Sequence, residues 1–414
     1  MSIDASAVAP APENGLATTI QQSLLVESPD MDALSAEVMT RLALTPDASR
    51  GLIYRVVAEA NAAMFPPVSK LELILTEGCN LGCAYCFEAE MLGPRRMSLD
   101  TARAGIDLLF DYARDEPEVT ITHFGGEPTL NLPAIRFATE YAEQKAEQSG
   151  KTVNFHMTSN GVRINAPMAE YFAQHDIKVL LSVDGLAETH DRHRRDKRGN
   201  GTFAQVVDAI KLLKRTQPWI GVKMTVMPDT ASMLFDNVVG LHALGVNQFL
   251  ISYATGVAWS DEDMQVYAAE FGKVYAWYKR EKTSGQLRIS ELDQIEETAP
   301  GYFGCQAGRN SMTVTVDGEV SPCAKVLALD NKKLLAKLGD VRFGLTHLLN
   351  RVELVSARRV QAACRTAGIA DDYEGGCFAQ NHEDNGSLFA PSLDGYKLNL
   401  LQRGACNGCS GSCS

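Results

Sequence analysis

The stretch that decides the fold is Thr76-Glu77-Gly78-Cys79-Asn80-Leu81-Gly82-Cys83-Ala84-Tyr85-Cys86, which begins at the last residue of the apolar segment Leu71 to Thr76. Its three cysteines are separated by three and two residues, and such a loop can place three thiolates around one inorganic centre. Three ligands leave one iron of a four-iron, four-sulfur cluster open to another molecule. Zinc is the alternative, but a structural zinc site needs a fourth ligand and usually contains paired Cys-x2-Cys units. The loop therefore predicts a catalytic iron-sulfur cluster on Cys79, Cys83 and Cys86.

Short apolar runs alternate with amphipathic segments on the C-terminal side of this loop. The predicted strands are Leu71 to Thr76, Val119 to Phe124, Val153 to Thr158, Lys178 to Val183, Ile220 to Met227 and Gln248 to Ser252. The predicted helices between them are Thr101 to Arg114, Pro133 to Gln148, Met168 to His175, Phe203 to Arg215 and Ala231 to Leu244. This alternation favours parallel strands with crossover helices. We expect an α/β fold, a partial (β/α)6 TIM-like barrel whose functional residues lie at the carboxyl ends of the strands.

The chain is predicted to have three parts. The first, residues 1–67, combines a mobile arm up to about residue 25, rich in Ala, Pro, Ser and Gln, with two short helices between Met31 and Ala63 that cap the barrel. The partial barrel occupies residues 68–295. Seven of the ten cysteines follow, so residues 296–414 are predicted to form a second domain that metal holds together.

Composition excludes several functions and favours one compartment. The chain has 414 residues, a formal net charge of −12 and a pI near 5.2, which argues against binding to nucleic acid or to an anionic membrane. It has neither an N-terminal secretory signal nor a run of 18 apolar residues, so we expect a cytoplasmic protein. In a reducing compartment, clustered cysteines are better interpreted as metal ligands than as disulfides.

A second motif, Phe124-Gly125-Gly126-Glu127-Pro128, ends the second predicted strand. Its glycines allow a close approach of the backbone to a ligand, and Glu127 can accept a hydrogen bond from an ammonium group. Together with the cysteine loop, it resembles the signature of radical S-adenosylmethionine (SAM) enzymes. The resemblance implies that the open iron chelates SAM, that reduction cleaves SAM to a 5′-deoxyadenosyl radical, and that Gly125, Gly126 and Glu127 hold the SAM amino group.

Two later strand ends carry polar side chains suited to ribose hydroxyls or a carboxylate. These are Thr158-Ser159-Asn160-Gly161 and Ser182-Val183-Asp184-Gly185. The latter continues into a stretch similar to that of peptide-modifying radical SAM enzymes, in which Ser182 and Arg194 match residues that contact SAM. The predicted cofactor-binding set therefore adds Tyr85, Ser159, Asn160, Ser182, Asp184 and Arg194 to the glycines and Glu127.

The cysteines after residue 300 form a second group of candidate metal ligands. They are Cys305, Cys323, Cys364, Cys377, Cys406, Cys409 and Cys413. Their arrangement around Gly318 and Gly375-Gly376 resembles the SPASM or shorter twitch extension, which implies one or two auxiliary [4Fe-4S] clusters. Asp317-Gly318-Glu319-Val320 predicts a hairpin turn within this group.

Two distributions of these ligands are open. The favoured one places one auxiliary cluster on Cys305, Cys323 and Cys377. It places a second cluster on Cys364, Cys406, Cys409 and Cys413. In the alternative, a single cluster uses Cys305, Cys323, Cys364 and Cys377, while the tail binds zinc or serves as a redox arm or a substrate-like peptide.

The resemblance predicts a maturase that abstracts hydrogen from a precursor peptide or protein and forms a crosslink or another modification, with a reductase such as flavodoxin or ferredoxin as electron donor. A sulfatase-maturing activity, which forms formylglycine, is an alternative, but that group carries an aspartate as general base after the cysteine that matches Cys323. Ala324 stands there in this chain. Further alternatives are a radical SAM dehydrogenase, epimerase or decarboxylase, and an iron-sulfur electron carrier without SAM chemistry.

Overall fold

The structure is a computed structural model that describes residues 12–26, 28–282, 286–297, 305–329, 337–369 and 375–407. Its strands are β1 (Lys70–Ile74), β2 (Glu118–Phe124), β3 (Thr152–Ser159), β4 (Ile177–Ser182), β5 (Gly221–Val226), β6 (Gln248–Tyr253), β7 (Arg288–Ile289), β8 (Ser311–Val314), β9 (Glu319–Ser321) and β10 (Gly339–Asp340). They form one sheet in the order β10-β9-β8-β1-β2-β3-β4-β5-β6-β7. Within the described residues, β10 and β7 are its two open edges, so the sheet is a partial rather than a closed barrel.

Helices connect and cover the strands. In the first half of the chain they are α1 (Pro12–Ser23), α2 (Met31–Leu42), α3 (Pro46–Met64), α4 (Leu99–Ala113), α5 (Leu132–Ser149), α6 (Ala166–Gln174), α7 (Ala187–His193) and α8 (Phe203–Thr216). In the second half they are α9 (Leu234–Ala243), α10 (Asp261–Glu281), α11 (Ser290–Glu297), α12 (Ala324–Leu327), α13 (Leu348–Val355), α14 (Ala357–Thr366), α15 (Phe378–Asn385) and α16 (Leu393–Asn407). Among the described residues, no helix is both long and apolar enough to cross a membrane.

All six strands predicted from the apolar runs are confirmed, with ends that differ by one or two residues. Neighbouring strands from β8 through β1 to β7 are parallel. Leu71, Leu73 and Ile121 are buried in the large core that the sheet shares with its helices. Because the carboxyl ends of parallel strands meet at one edge, this order brings the predicted motifs together.

The N-terminal arm is the part of the prediction that the structure corrects. Residues 1–11 lie outside the described residues, but Pro12–Ser23 forms a helix. Ile20 and Leu24 are fully buried against Ile53 and Val57 of α3. Leu16, Ile20 and Leu24 recur at the helical spacing of four residues, so the segment has an apolar face that the Ala- and Pro-rich composition obscures. The two helices predicted between Met31 and Ala63 are confirmed as α2 and α3.

The C-terminal segment continues the same sheet. Strand β8 pairs in parallel with β1, with Leu71 opposite Met312, and then turns back into β9 as the predicted hairpin. This pairing holds the segment with Cys305 and Cys323 against the first strand. The predicted division near residue 296 stays a prediction, because residues 298–304 lie outside the described part.

Candidate active site

Backbone hydrogen bonds hold the cysteine loop against two neighbouring segments. The amide nitrogens of Gly126 and Glu127 donate to the carbonyl oxygens of Thr76 and Gly78, at 3.0 and 2.8 Å. On the other side, the amide nitrogens of Gly82 and Ala84 donate to the carbonyl oxygens of Arg195 and His193, at 2.9 and 3.1 Å. The loop is therefore positioned by the Gly-Gly-Glu turn after β2 and by the C-terminal end of α7 with the residues that follow it.

The two glycines of this turn are required by the cysteine loop itself. Gly125 has a φ of +118°, and a Cβ atom on it would overlap the carbonyl oxygen of Thr76. A Cβ atom on Gly126 would lie 2.5 Å from the carbonyl oxygen of Gly78. The structure shows a close approach of two backbone segments to each other, and the predicted approach of this turn to a ligand stays a prediction.

Replacing Gly125 with alanine is therefore expected to lower the free energy of unfolding by about 3 kcal/mol, because strain at positive φ adds to the steric overlap. It should also reduce the iron retained after reconstitution, since the loop must shift. Gly150→Ala is the matched control, because Gly150 has a φ of +67° but open space at the Cβ position, and should cost only about 1 kcal/mol. Denaturant unfolding and iron analysis would measure both effects, and equal stability of the two variants would contradict the packing argument.

The carboxyl ends of the strands surround a cavity of about 490 Å³. The predicted site residues that line it are Cys79, Cys83, Tyr85, Cys86, Gly125, Gly126, Ser159, Asn160, Ser182 and Arg194. Three adjacent strands contribute alternate residues, namely Leu180 and Ser182 of β4, Lys223 and Thr225 of β5, and Leu250 and Ser252 of β6. Since side chains alternate across a strand, the intervening residues point into the hydrophobic core.

Glu127 is not among the residues that line the cavity, but lies directly behind two of them, Ser159 and Asn160. Its buried carboxylate accepts hydrogen bonds from the Thr129 hydroxyl (2.5 Å) and amide nitrogen (3.1 Å), from the Ser159 hydroxyl (2.9 Å) and from the Asn160 amide nitrogen (2.8 Å). Burial raises the pKa of Glu127, and these hydrogen bonds oppose that shift. In this structure Glu127 orients Ser159 and Asn160 toward the cavity.

Asp184 does not line the cavity either, but it holds three residues that do. Its carboxylate accepts hydrogen bonds from Arg194 Nε at 2.9 Å, from the Tyr85 hydroxyl and from the Thr225 amide nitrogen at 3.0 Å. Burial would lower the pKa of Arg194, but Asp184 and Tyr85 raise it above its usual value. Arg194 therefore stays charged, and its Nη1 atom lies 3.8 Å from Cys83 Sγ.

The cysteine triplet fits a centre with several irons. Burial raises the pKa of Cys79 to about 11 and also raises the pKa values of Cys83 and Cys86. Among the described residues, no three His, Cys, Asp or Glu side chains are close enough to hold a single metal ion. Three soft sulfur donors that face one cavity suit an iron-sulfur cluster, whereas a structural zinc ion needs a fourth ligand.

Two lysines in the cavity wall were missed from the sequence. Lys223 lies opposite Ser182 in the β4–β5 register, and its Nζ atom donates to Ser252 Oγ at 2.5 Å. Lys325, in α12, donates to the Thr255 hydroxyl and lies 3.1 Å from a carboxylate oxygen of Glu383. A charged residue inside the apolar run of β5 was the available signal for Lys223. Lys325 is brought in by long-range packing, which local sequence does not reveal.

Three of the C-terminal cysteines lie within range of one another's charge. Charge interactions link Cys305 to Cys377 and link Cys323 to both, and burial raises the pKa of Cys323 to about 12. Burial raises the pKa of Cys364, and no other cysteine whose side chain the structure describes contributes to this shift. Cys409 and Cys413 lie outside the described residues, and for Cys406 only the helical backbone is described.

Sequence comparisons find similarity to one protein family and to anaerobic sulfatase-maturating enzymes. Residues 73–234 match the family model of the Radical SAM superfamily. A cysteine-type anaerobic sulfatase-maturating enzyme from Clostridium novyi (strain NT) is 29% identical over 171 residues, 39% of this chain and 44% of that protein. A serine-type anaerobic sulfatase-maturating enzyme from Klebsiella aerogenes is 24% identical over 317 residues, 72% of this chain and 76% of that protein. The matched region thus spans less than half of the first relative and about three quarters of the second.

Solved structures share the fold over most of the chain. The structure of anSMEcpe with bound AdoMet and the Cp18Cys peptide has a TM-score of 0.66 at 19% identity, and the match covers 83% of this chain and 98% of that one. Streptococcus suis SuiB bound to the precursor peptide SuiA has a TM-score of 0.57 at 15% identity, covering 84% of this chain and 80% of that one. At these identities the likeness establishes the fold alone.

Proposed function

Because this chain is an enzyme with a radical SAM domain at residues 73–234, we propose that it is a peptide maturase that abstracts hydrogen from a precursor peptide and leaves a crosslink or another modification. Cys79, Cys83 and Cys86 hold a [4Fe-4S] cluster. When bound, this cluster supplies the electron that cleaves SAM to 5′-deoxyadenosyl radical and methionine. A reductase such as flavodoxin or ferredoxin delivers that electron.

One observation carries the proposal: the three thiols and the polar residues of four strand ends line one cavity. Asn160 Nδ2 donates to the Asn80 side chain at 2.9 Å, so the third strand end is tied to the cysteine loop. Arg194 and Ser182 offer a cation and a hydroxyl to the SAM carboxylate, and Tyr85 offers an aromatic face to the adenine. Glu127 and Asp184 act as positioning residues behind these contacts.

A peptide is the favoured substrate for two reasons. Among the described residues, the cavity is lined by residues within 79–255 and by Lys325 of the C-terminal segment, so a bound substrate would contact both parts of the chain. Two relatives of the same fold, anSMEcpe and SuiB, have been solved with bound peptides. Sulfatase maturation is the second candidate, since the curated relatives carry that name. Ala324, a buried alanine at the start of α12, argues against it because it offers no general base.

The experiment is incubation of anaerobically reconstituted protein with SAM, a strong reductant and precursor peptides encoded beside its gene. We expect 5′-deoxyadenosine and a peptide that is lighter by two hydrogens. An unchanged peptide mass with an inverted stereocentre would instead identify an epimerase, and a formylglycine product on a sulfatase peptide would identify the second candidate. Absence of 5′-deoxyadenosine under reducing conditions would refute SAM chemistry and leave an electron carrier.

The auxiliary clusters belong to the same proposal, with one on Cys305, Cys323 and Cys377 and a second on Cys364 and the three tail cysteines. The charge interactions among the first three, and their absence at Cys364, support this distribution. With the triplet cluster, two auxiliary clusters require about twelve irons per chain, whereas one auxiliary cluster requires about eight.

The variant Cys409→Ala/Cys413→Ala distinguishes these distributions. We expect its iron content to fall from about twelve to about eight per chain, since two of the four ligands of one cluster are lost. Iron and sulfide analysis after anaerobic reconstitution gives the count. Ser410→Ala/Ser412→Ala is the matched control in the same tail and should retain all the iron. An iron content of the cysteine variant equal to that of the unmodified protein would contradict the second cluster.

A further inference from the structure

The wall of the cavity is cationic, in contrast to the chain as a whole. The formal net charge of the protein is −12, yet Arg194, Lys223 and Lys325 all line the cavity. Glu88 is the one carboxylate among the lining residues in the described part of the chain. Burying a charge is costly unless it is paired. Arg194 is paired with Asp184 and Lys325 with Glu383, so Lys223 is the cation whose surroundings indicate an anionic ligand.

Lys223 is the least compensated of the three cations. Its Nζ atom donates to the neutral hydroxyl of Ser252 at 2.5 Å, and no carboxylate of the described residues lies within ion-pair distance of it. Burial lowers the pKa of Lys223, and the more distant carboxylates of Glu291 and Asp184 oppose that shift. A carboxylate that entered the cavity would supply the missing counter-charge.

Lys325 approaches the same space from the C-terminal segment. It is anchored by the Thr255 hydroxyl and by Glu383, so its side chain has a defined position at the wall. Lys325 is also among the strongest charge interactions of Lys223, and the two ammonium groups repel each other. An anion between them would relieve that repulsion and bridge the radical SAM domain to the C-terminal segment.

The carboxylate of SAM is not the expected occupant. Under the proposed function it is chelated at the open iron, beside the cysteine triplet. Arg194 lies at that triplet, 3.8 Å from Cys83 Sγ, and is the cation with the strongest interaction with Cys83 and with Cys86. Lys223 and Lys325 are not among the strongest interactions of any triplet thiol. Lys223 lies opposite Ser182 in the strand register, but Arg194 is the cation at the triplet, so Lys223 and Lys325 are available to a second anion, on the substrate.

We propose that Lys223 and Lys325 bind a side-chain carboxylate of the substrate, so that the enzyme selects precursor peptides with Asp or Glu beside the residue that it modifies. This inference rests on the proposed function and assigns its substrate class. The two lysines act as specificity-determining residues, which hold the peptide by charge while the reacting residue faces the cysteine triplet.

The test uses full-length, reconstituted, SAM-saturated protein without reductant. Two probes, N-acetyl-glutamate N-methylamide and N-acetyl-glutamine N-methylamide, differ in the charge of one side chain. Saturation-transfer NMR titrations should give an affinity for the glutamate probe at least about tenfold higher than for the glutamine probe, because hydrogen bonds to a charged group are the stronger ones. Equal affinities in the unmodified protein would overturn the proposal without any variant.

Variants then locate the site. Lys223→Met and Lys325→Met should each abolish the preference for the glutamate probe, whereas Lys211→Met, at an exposed lysine of α8, should preserve it. A preserved preference in both cavity variants would overturn the proposal. SAM and decarboxylated SAM are titrated into the same proteins: if Lys223→Met weakens only SAM, this lysine holds the cofactor, and the proposal also fails.

These outcomes are separate from those of the proposed function. Binding of the probes needs no reduction and no 5′-deoxyadenosine, so loss of SAM cleavage refutes the maturase while leaving the titrations readable. Conversely, a protein that forms 5′-deoxyadenosine but does not distinguish the two probes keeps its proposed chemistry and loses only the acidic substrate class.

Discussion

Asp184→Asn is expected to destabilise the protein by about 4 kcal/mol, within the range for breaking one side of a buried ion pair. Asparagine keeps the shape of Asp184 and one acceptor oxygen, so the loss is mainly that of charge. Arg194 then remains buried beside Cys83 without its carboxylate, and the Tyr85 hydroxyl loses a charged acceptor. Denaturant unfolding of the metal-free chain measures the change.

Asp229→Asn is the matched control for this prediction. Asp229 also pairs with an arginine, Arg192, but its side chain is 48% exposed, so its replacement should cost only about 0.2–1 kcal/mol. The double variant Asp184→Asn/Arg194→Met should recover part of the stability, because no buried charge is left unpaired. If Asp184→Asn and Asp229→Asn lower the free energy of unfolding equally, the Asp184–Arg194 pair does not stabilise the site.

Replacement of any one triplet cysteine with alanine is expected to reduce 5′-deoxyadenosine formation to the background of the reductant alone. Two thiolates cannot retain a cluster that needs three protein ligands, so both the open iron and the bound SAM are lost. Chromatographic quantification of 5′-deoxyadenosine and methionine, with SAM and dithionite, measures the effect.

The control is Ala84→Ser, on the same loop. Its side chain is exposed, and the loop is held there by the amide nitrogen, which donates to the His193 carbonyl oxygen. This variant should therefore keep SAM cleavage. Substantial cleavage by Cys79→Ala, Cys83→Ala or Cys86→Ala would contradict the role given to the triplet.

The positions of the strands and of the motifs at their ends were predictable, because both depend on short-range patterns. Apolar runs of five to eight residues mark β1 to β6, and the triplet spacing lies within one loop. The helix Pro12–Ser23 was not predicted, since its apolar face is spread over three residues in a stretch of turn-forming composition. Its burial depends on α3, which a local pattern does not include.

The direction in which side chains point at the site was harder to predict from the sequence. Glu127 and Asp184 were grouped with the cofactor contacts, yet both lie behind the residues that line the cavity. A turn allows either direction, and the choice is set by partners distant in sequence, such as Asn160 for Glu127 and Thr225 for Asp184. Lys325 likewise enters the cavity because β8 pairs with β1, a contact between segments about 240 residues apart.

Electron paramagnetic resonance of the dithionite-reduced protein, recorded with and without SAM, tests the central claim most directly. If Cys79, Cys83 and Cys86 leave one iron open, the reduced spectrum should contain a cluster signal whose g-values change when SAM binds. The same change should be absent from the triple alanine variant. A spectrum that is identical with and without SAM would contradict the account.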